Sequence, residues 1–174
     1  MLVIDSSGSM NDKIDKVQDA AKNLSKNILN GSNDDQVRIS VADFSYNNNS
    51  NQYYKPGASS KVQTNFTSNL NKINKAIDKI DSGGGTNTQD GIWRTQNLLE
   101  DSRDEANKYV VFFQMDYHGT LETIGEIQDL IYMLKTHKES TIITLQDMEL
   151  LQKSLLEELD IIQIKIFQLQ RPYM

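Results

Sequence analysis

An apolar run near the start of the chain leads directly into a loop rich in hydroxyl groups: Leu2-Val3-Ile4-Asp5-Ser6-Ser7-Gly8-Ser9-Met10. The apolar residues are typical of a buried strand. Because Met1 lies within the predicted strand rather than before it, we expect the native chain to begin upstream of Met1. The loop offers a carboxylate and two hydroxyls at alternate positions, Asp5, Ser7 and Ser9. In an extended segment, alternate side chains point the same way.

Strands and helices alternate along the first 113 residues. Apolar spacing predicts helices over 14–28, 70–80 and 90–100, and strands over 2–4, 37–41 and 109–113. This order predicts an α/β fold, with a Rossmann-like, doubly wound and mainly parallel sheet between helices. Ligands of such sheets bind beyond the carboxyl ends of the strands, in the loops that lead into helices.

A second loop of this kind precedes the third predicted helix, at Gly83-Gly84-Gly85-Thr86-Asn87-Thr88. Its glycines allow close approach of the backbone, and Thr86 supplies another hydroxyl. Hydroxyls with a few carboxylates form a hard, oxygen-only site that suits Mg²⁺ or Mn²⁺. Each loop alone also has a structural interpretation, as a helix cap or a helix entry.

Taken together, the two loops resemble the metal-ion-dependent adhesion site of von Willebrand factor A domains, in the form found in bacterial surface adhesins and pilus-tip proteins. The resemblance implies that Ser7 and Ser9 ligate the metal directly, and Thr86 directly or through water. Asp5 is expected to hold metal-bound water. A carboxylate from a partner protein is expected to complete the octahedral coordination of the metal. The family resemblance also implies an extracellular or cell-surface location.

The resemblance also requires a third loop, with Thr or Ser, then Asp and Gly, after the strand over 109–113. This chain has Gln114-Met115-Asp116-Tyr117-His118-Gly119 there. Asp116 is the candidate for a further carboxylate at the metal. It comes one residue late, however, and a one-residue shift along a strand turns a side chain to the other face.

Composition changes abruptly at the same place. Residues 1–113 contain 16 asparagines and residues 114–174 contain none, while the second part holds 10 leucines and 9 isoleucines. We therefore divide the chain into a partial von Willebrand factor A domain over 1–116, with an incomplete sheet, and a helical segment over 117–174. Two long helices with a break near 137–140 are expected in the second part.

Two hypotheses explain the change. Skipping the first two bases of the Phe113 codon permits translation of Ser-Asp-Gly-Leu-Pro-Trp-Asn, which contains the expected third loop. Residues after about 113 are then translated in a shifted frame. In the alternative, the chain is a divergent member of the family with a replaced C-terminal half.

Composition limits the possible partners. The 174-residue chain has 18 basic and 24 acidic residues, a net charge of −6 and no cysteine. The acidic balance argues against nucleic acid as a partner, and the absence of cysteine excludes thiolate sites. No apolar run is long enough for a transmembrane helix, and no secretion signal is visible.

Three functions remain open at this point. The first is a metal-dependent, protein-binding module of adhesion type that is not an enzyme, since the sequence pairs no nucleophile with a base. The second is an intracellular subunit of a metal- or ATP-dependent assembly machine, which implies a cytoplasmic location. The third is a truncated, non-functional product that binds no metal.

Overall fold

A computed structural model describes residues 1–30, 36–46, 55–103, 106–115, 141–143 and 162–170. Within them the helices are α1 (Ile14–Leu29), α2 (Leu70–Ile77) and α3 (Thr88–Glu100). The strands are β1 (Leu2–Asp5), β2 (Ile39–Phe44), β3 (Ser60–Thr67), β4 (Lys108–Met115), β5 (Thr141–Ile143) and β6 (Ile162–Gln170). A short 3₁₀ turn spans Gly8–Met10. None of the helices in these segments is long and apolar enough to cross a membrane.

The strands form one sheet in the order β3-β2-β1-β4-β6-β5. Its centre is parallel, because β1 pairs in parallel with both β2 and β4. β3 is antiparallel to β2, and β6 is antiparallel to β4. The α/β fold expected from the sequence is thereby confirmed. β3 was not predicted, since its residues are half-buried or exposed and carry no clear apolar pattern.

The central strand β1 is buried on both faces. Leu2 and Ile4 belong to the apolar cluster beneath α1 and α2. Val3 belongs to a second cluster beneath α3, where the rings of Phe44 and Phe112 lie 6.5 Å apart, centroid to centroid. Helices therefore cover both faces of the parallel centre, as the continuous apolar runs predicted.

The C-terminal expectation of helix is wrong for two segments. Thr141–Ile143 and Ile162–Gln170 are strands that pair with each other and, through β6, with β4. In β6, apolar and polar residues alternate from Ile162 to Ile166 and again from Phe167 to Gln170, a pattern that favours strand over helix. The side of β4 that faces away from β1 also carries backbone amides and carbonyls that can pair with a further strand. The break near 137–140 and the rest of the predicted helices lie outside the described residues. The domain division after 116 stays a prediction.

The backbone of Met1 continues the pairing of β1 with β4. The Val111 amide donates a hydrogen bond of 2.9 Å to the Met1 carbonyl.

Candidate functional site

The loop after β1 brings three of the predicted site residues together. Asp5 ends the strand with 1% of its surface exposed, and its Oδ1 accepts a hydrogen bond of 2.9 Å from the Ser7 amide. The hydroxyl oxygens of Ser7 and Ser9 lie 2.8 Å apart. Ser7 is buried, whereas Ser9 is exposed. Met10 fills the apolar cluster below and fixes the end of the loop.

Two backbone hydrogen bonds join this loop to the glycine-rich loop before α3. The Gly83 amide donates to the Ser6 carbonyl at 2.8 Å, and the Gly8 amide donates to the Gly84 carbonyl at 2.8 Å. Gly84 has a φ of +75°, a conformation that L side chains rarely adopt. The sequence predicted that these glycines allow close approach of the backbone, and the positive φ of Gly84 is where the loop requires a glycine.

A third segment joins the same cluster from the end of β2. Tyr46 and Gly85 exchange two backbone hydrogen bonds of 2.7 Å each. Thr86 follows Gly85 directly and is exposed. The next residue, Asn87, caps α3 by accepting a hydrogen bond from the Asp90 amide at 3.1 Å. The position of Thr86 is thus fixed on one side by the loop contacts and on the other by the helix start.

The end of β4 also approaches this edge of the sheet. The side-chain amide of Gln114 lies 3.3 Å from the hydroxyl of Thr88, in the first turn of α3. The third predicted loop was expected to begin at Gln114, but Gln114 and Met115 are the last two residues of β4. Its candidate residue, Asp116, lies outside the described residues. The structure therefore describes Asp5, Ser7, Ser9 and Thr86, and Asp116 stays a prediction from the sequence.

The donor chemistry of the described residues fits a small, hard cation. Mg²⁺ is bound octahedrally at about 2.0–2.1 Å, so adjacent ligand oxygens lie about 2.9 Å apart. The hydroxyls of Ser7 and Ser9 are hydrogen-bonded to each other at 2.8 Å, a spacing close to the distance between adjacent oxygens around Mg²⁺. The described part of the chain holds no cluster of three or more His, Cys, Asp or Glu side chains that could hold a metal.

Sequence reasoning missed two residues at this edge, Ser6 and Asp43. The pattern of alternate positions passes over Ser6, and the strand predicted over 37–41 ends before Asp43. The Ser6 hydroxyl donates to the Asp43 carboxylate at 2.9 Å. One signal was present, since Asp43 places a charge between the apolar neighbours Ala42 and Phe44 at a strand end.

Gly8→Ala should lower the free energy of unfolding by about 1 kcal/mol. An added Cβ would stand 3.0 Å from the Gly84 carbonyl oxygen, which is held in place by the Gly8 amide. Overpacking of this kind costs about 1–3 kcal/mol, against a gain of about 0.4–1 kcal/mol from the stiffer unfolded chain.

Gly83→Ala is the matched control for this urea unfolding measurement. A Cβ at Gly83 meets nothing within 4 Å, so its stability should be unchanged or slightly raised. Equal stability of the two variants would mean that the loops are not held in close contact at Gly8.

Comparison with protein families matched residues 1–118 to the von Willebrand factor type A domain. Among solved structures, the chain is similar to the pilus adhesin SpaC from Lactobacillus rhamnosus GG in its open conformation. The identity is 21% and the TM-score 0.51, over 68% of this chain and 16% of that chain. At this identity the likeness concerns the fold.

The chain is also similar to the vWF domain of the type V pili tip protein Mfa5 from Porphyromonas gingivalis. The identity is 18% and the TM-score 0.48, over 70% of this chain and 41% of that chain. The chain thus spans less than half the length of either structure. Comparison with curated proteins gave no significant match. Because the family match covers more than half of the 174 residues, the chain belongs to the von Willebrand factor type A domain family.

Proposed function

We propose that the chain is a protein-binding module of adhesion type that depends on a divalent cation, Mg²⁺ or Mn²⁺. The observation that carries the proposal is the pair of hydroxyls of Ser7 and Ser9, 2.8 Å apart beside the buried Asp5 carboxylate. Backbone hydrogen bonds attach this loop to the one that bears Thr86. Membership of the family and the likeness in fold to a pilus adhesin are consistent with the proposal.

Each of the five predicted site residues has a proposed role in holding the cation. Ser7 and Ser9 would ligate the cation directly, Thr86 would do so directly or through water, and Asp5 would hold a bound water. Asp116 is the proposed source of a further carboxylate. Serine and threonine hydroxyls are neutral oxygen ligands, which suit hard cations of this class.

The proposed ligands carry little negative charge, and this is why the proposed partner is a protein that supplies a carboxylate. A divalent cation held by neutral hydroxyls, with few carboxylates nearby, keeps much of its positive charge. When bound, it supplies a Lewis-acidic position for a carboxylate of a partner protein. The proposed role is therefore binding rather than catalysis, and the proposed location is the cell surface, where the pilus proteins to which the chain is similar act.

Ser7→Ala and Thr86→Ala should each weaken Mg²⁺ binding by at least about tenfold, the lower end of what even an outer-shell partner contributes. Isothermal titration of the full chain with MgCl₂ and MnCl₂ measures this effect. Asp116→Asn belongs in the same series, with a loss of similar size expected. Circular dichroism should show the fold unchanged in all three variants.

Thr64→Ala is the control for the metal titrations, because this exposed hydroxyl lies on β3, at the far edge of the sheet from β4.

The need for a carboxylate on the partner protein is tested with an aspartate-containing peptide and with the same peptide in which asparagine replaces the aspartate. Binding of the first alone, and only with Mg²⁺ present, is the expected result. Unchanged titrations for Ser7→Ala and Thr86→Ala would refute the metal assignment.

A further inference from the structure

Ser6 joins the first loop to two other parts of the chain. Its amide donates to the Phe44 carbonyl at 2.9 Å, and its carbonyl accepts from the Gly83 amide at 2.8 Å. Its hydroxyl donates to Asp43 Oδ2 at 2.9 Å and lies 3.0 Å from the Phe44 carbonyl. Only 1% of Ser6 is exposed. Every polar atom of this buried residue thus contacts β2 or the glycine-rich loop.

Asp43 is itself held from the other side. Its second oxygen, Oδ1, accepts a hydrogen bond of 2.7 Å from the side-chain amide of Gln63 on β3. Asp43 stands opposite Ile4 in the parallel pair of β2 and β1. A line of side chains therefore runs across the sheet from Gln63 through Asp43 to Ser6, and both carboxylate oxygens are used in it.

Ser6 does not share the face of the proposed metal ligands. Side chains alternate between the two faces of the sheet along an extended segment. Ser6 is therefore on the same face as Leu2 and Ile4, which lie beneath α1 and α2. Asp5 is on the opposite face, with Val3. The Ser6 hydroxyl is thus directed to Asp43, and its effect on the site must pass through the backbone of the loop.

We infer that Ser6, anchored by Asp43 and Gln63, is the positioning residue that holds the oxygens of Ser7 and Ser9 at the spacing a divalent cation requires. The inference rests on the proposed function for the identity of the ligand. Mg²⁺ demands nearly ideal octahedral geometry, so a loop that loses its anchor binds it less well. Removal of outer-shell partners typically costs about 10–100-fold in metal affinity.

Three variants of the full chain test the inference. Ser6→Ala removes the hydroxyl, and Asp43→Ala removes its acceptor. Asp43→Asn removes the charge but keeps an oxygen that can accept from Ser6. Ile73→Val is the control for general loss of stability, since Ile73 is buried in the core on α2 and such a change destabilises while every polar group of the loops is kept.

Two measurements are made on each variant. The first is the Mg²⁺ dissociation constant by calorimetric titration. The second is the rate of amide hydrogen exchange at Gly8 and Gly83 in metal-free protein, because these amides donate the two hydrogen bonds between the loops.

Ser6→Ala and Asp43→Ala should each weaken Mg²⁺ binding by about tenfold and speed exchange at both glycines by about tenfold. The double variant should lose no more than either single one, because both break the same contact. Asp43→Asn and Ile73→Val should stay within about threefold of the parent in affinity.

Two outcomes would overturn the inference. Unchanged affinity and exchange in Ser6→Ala would show that the loop needs no anchor. Equal losses in Asp43→Asn and Asp43→Ala would show that the charge of Asp43 acts on the cation without Ser6. If the parent binds no Mg²⁺, the proposed function fails, while faster exchange in Ser6→Ala would still support the anchoring of the loop.

Discussion

Burial of β1 on both faces is the constraint on which the candidate site depends. Leu2 and Ile4 are committed to one apolar cluster and Val3 to the other, so the strand can neither slide nor rotate without exposing apolar surface. The residues that follow it leave the sheet from a fixed point. Asp5 therefore lies buried at the carboxyl edge, and the Ser7 amide closes the turn onto its carboxylate.

The contacts that join the three segments of the site are made mostly by the backbone. Gly8 with Gly84, Ser6 with Gly83 and Tyr46 with Gly85 are all joined through amides and carbonyls. The hydroxyls of the proposed ligands Ser7, Ser9 and Thr86 make none of these hydrogen bonds. Folding and the proposed coordination thus use different atoms, which is why removal of a hydroxyl should affect binding far more than fold.

The C-terminal strands show how pairing can override a local pattern. Leucine and isoleucine three or four residues apart from Leu121 to Leu134 suggested helices, yet Ile162–Gln170 pairs along the full length of β4. The alternation of apolar and polar residues in β6 was the better guide. An antiparallel strand at this position also gives the sheet a mixed character beyond its parallel centre, which the order of strands and helices before residue 113 did not foretell.

The sequence by itself determined the order of elements through β4 except for β3, the burial of β1 and the two loops that carry Asp5, Ser7, Ser9 and Thr86. These features follow from apolar spacing and from residue types within a few positions of each other. Only the tertiary structure brought Ser6 to Asp43, Gly8 to Gly84 and β6 to β4. Those contacts join residues distant along the chain, and their register depends on how the strands pair, which local composition does not encode.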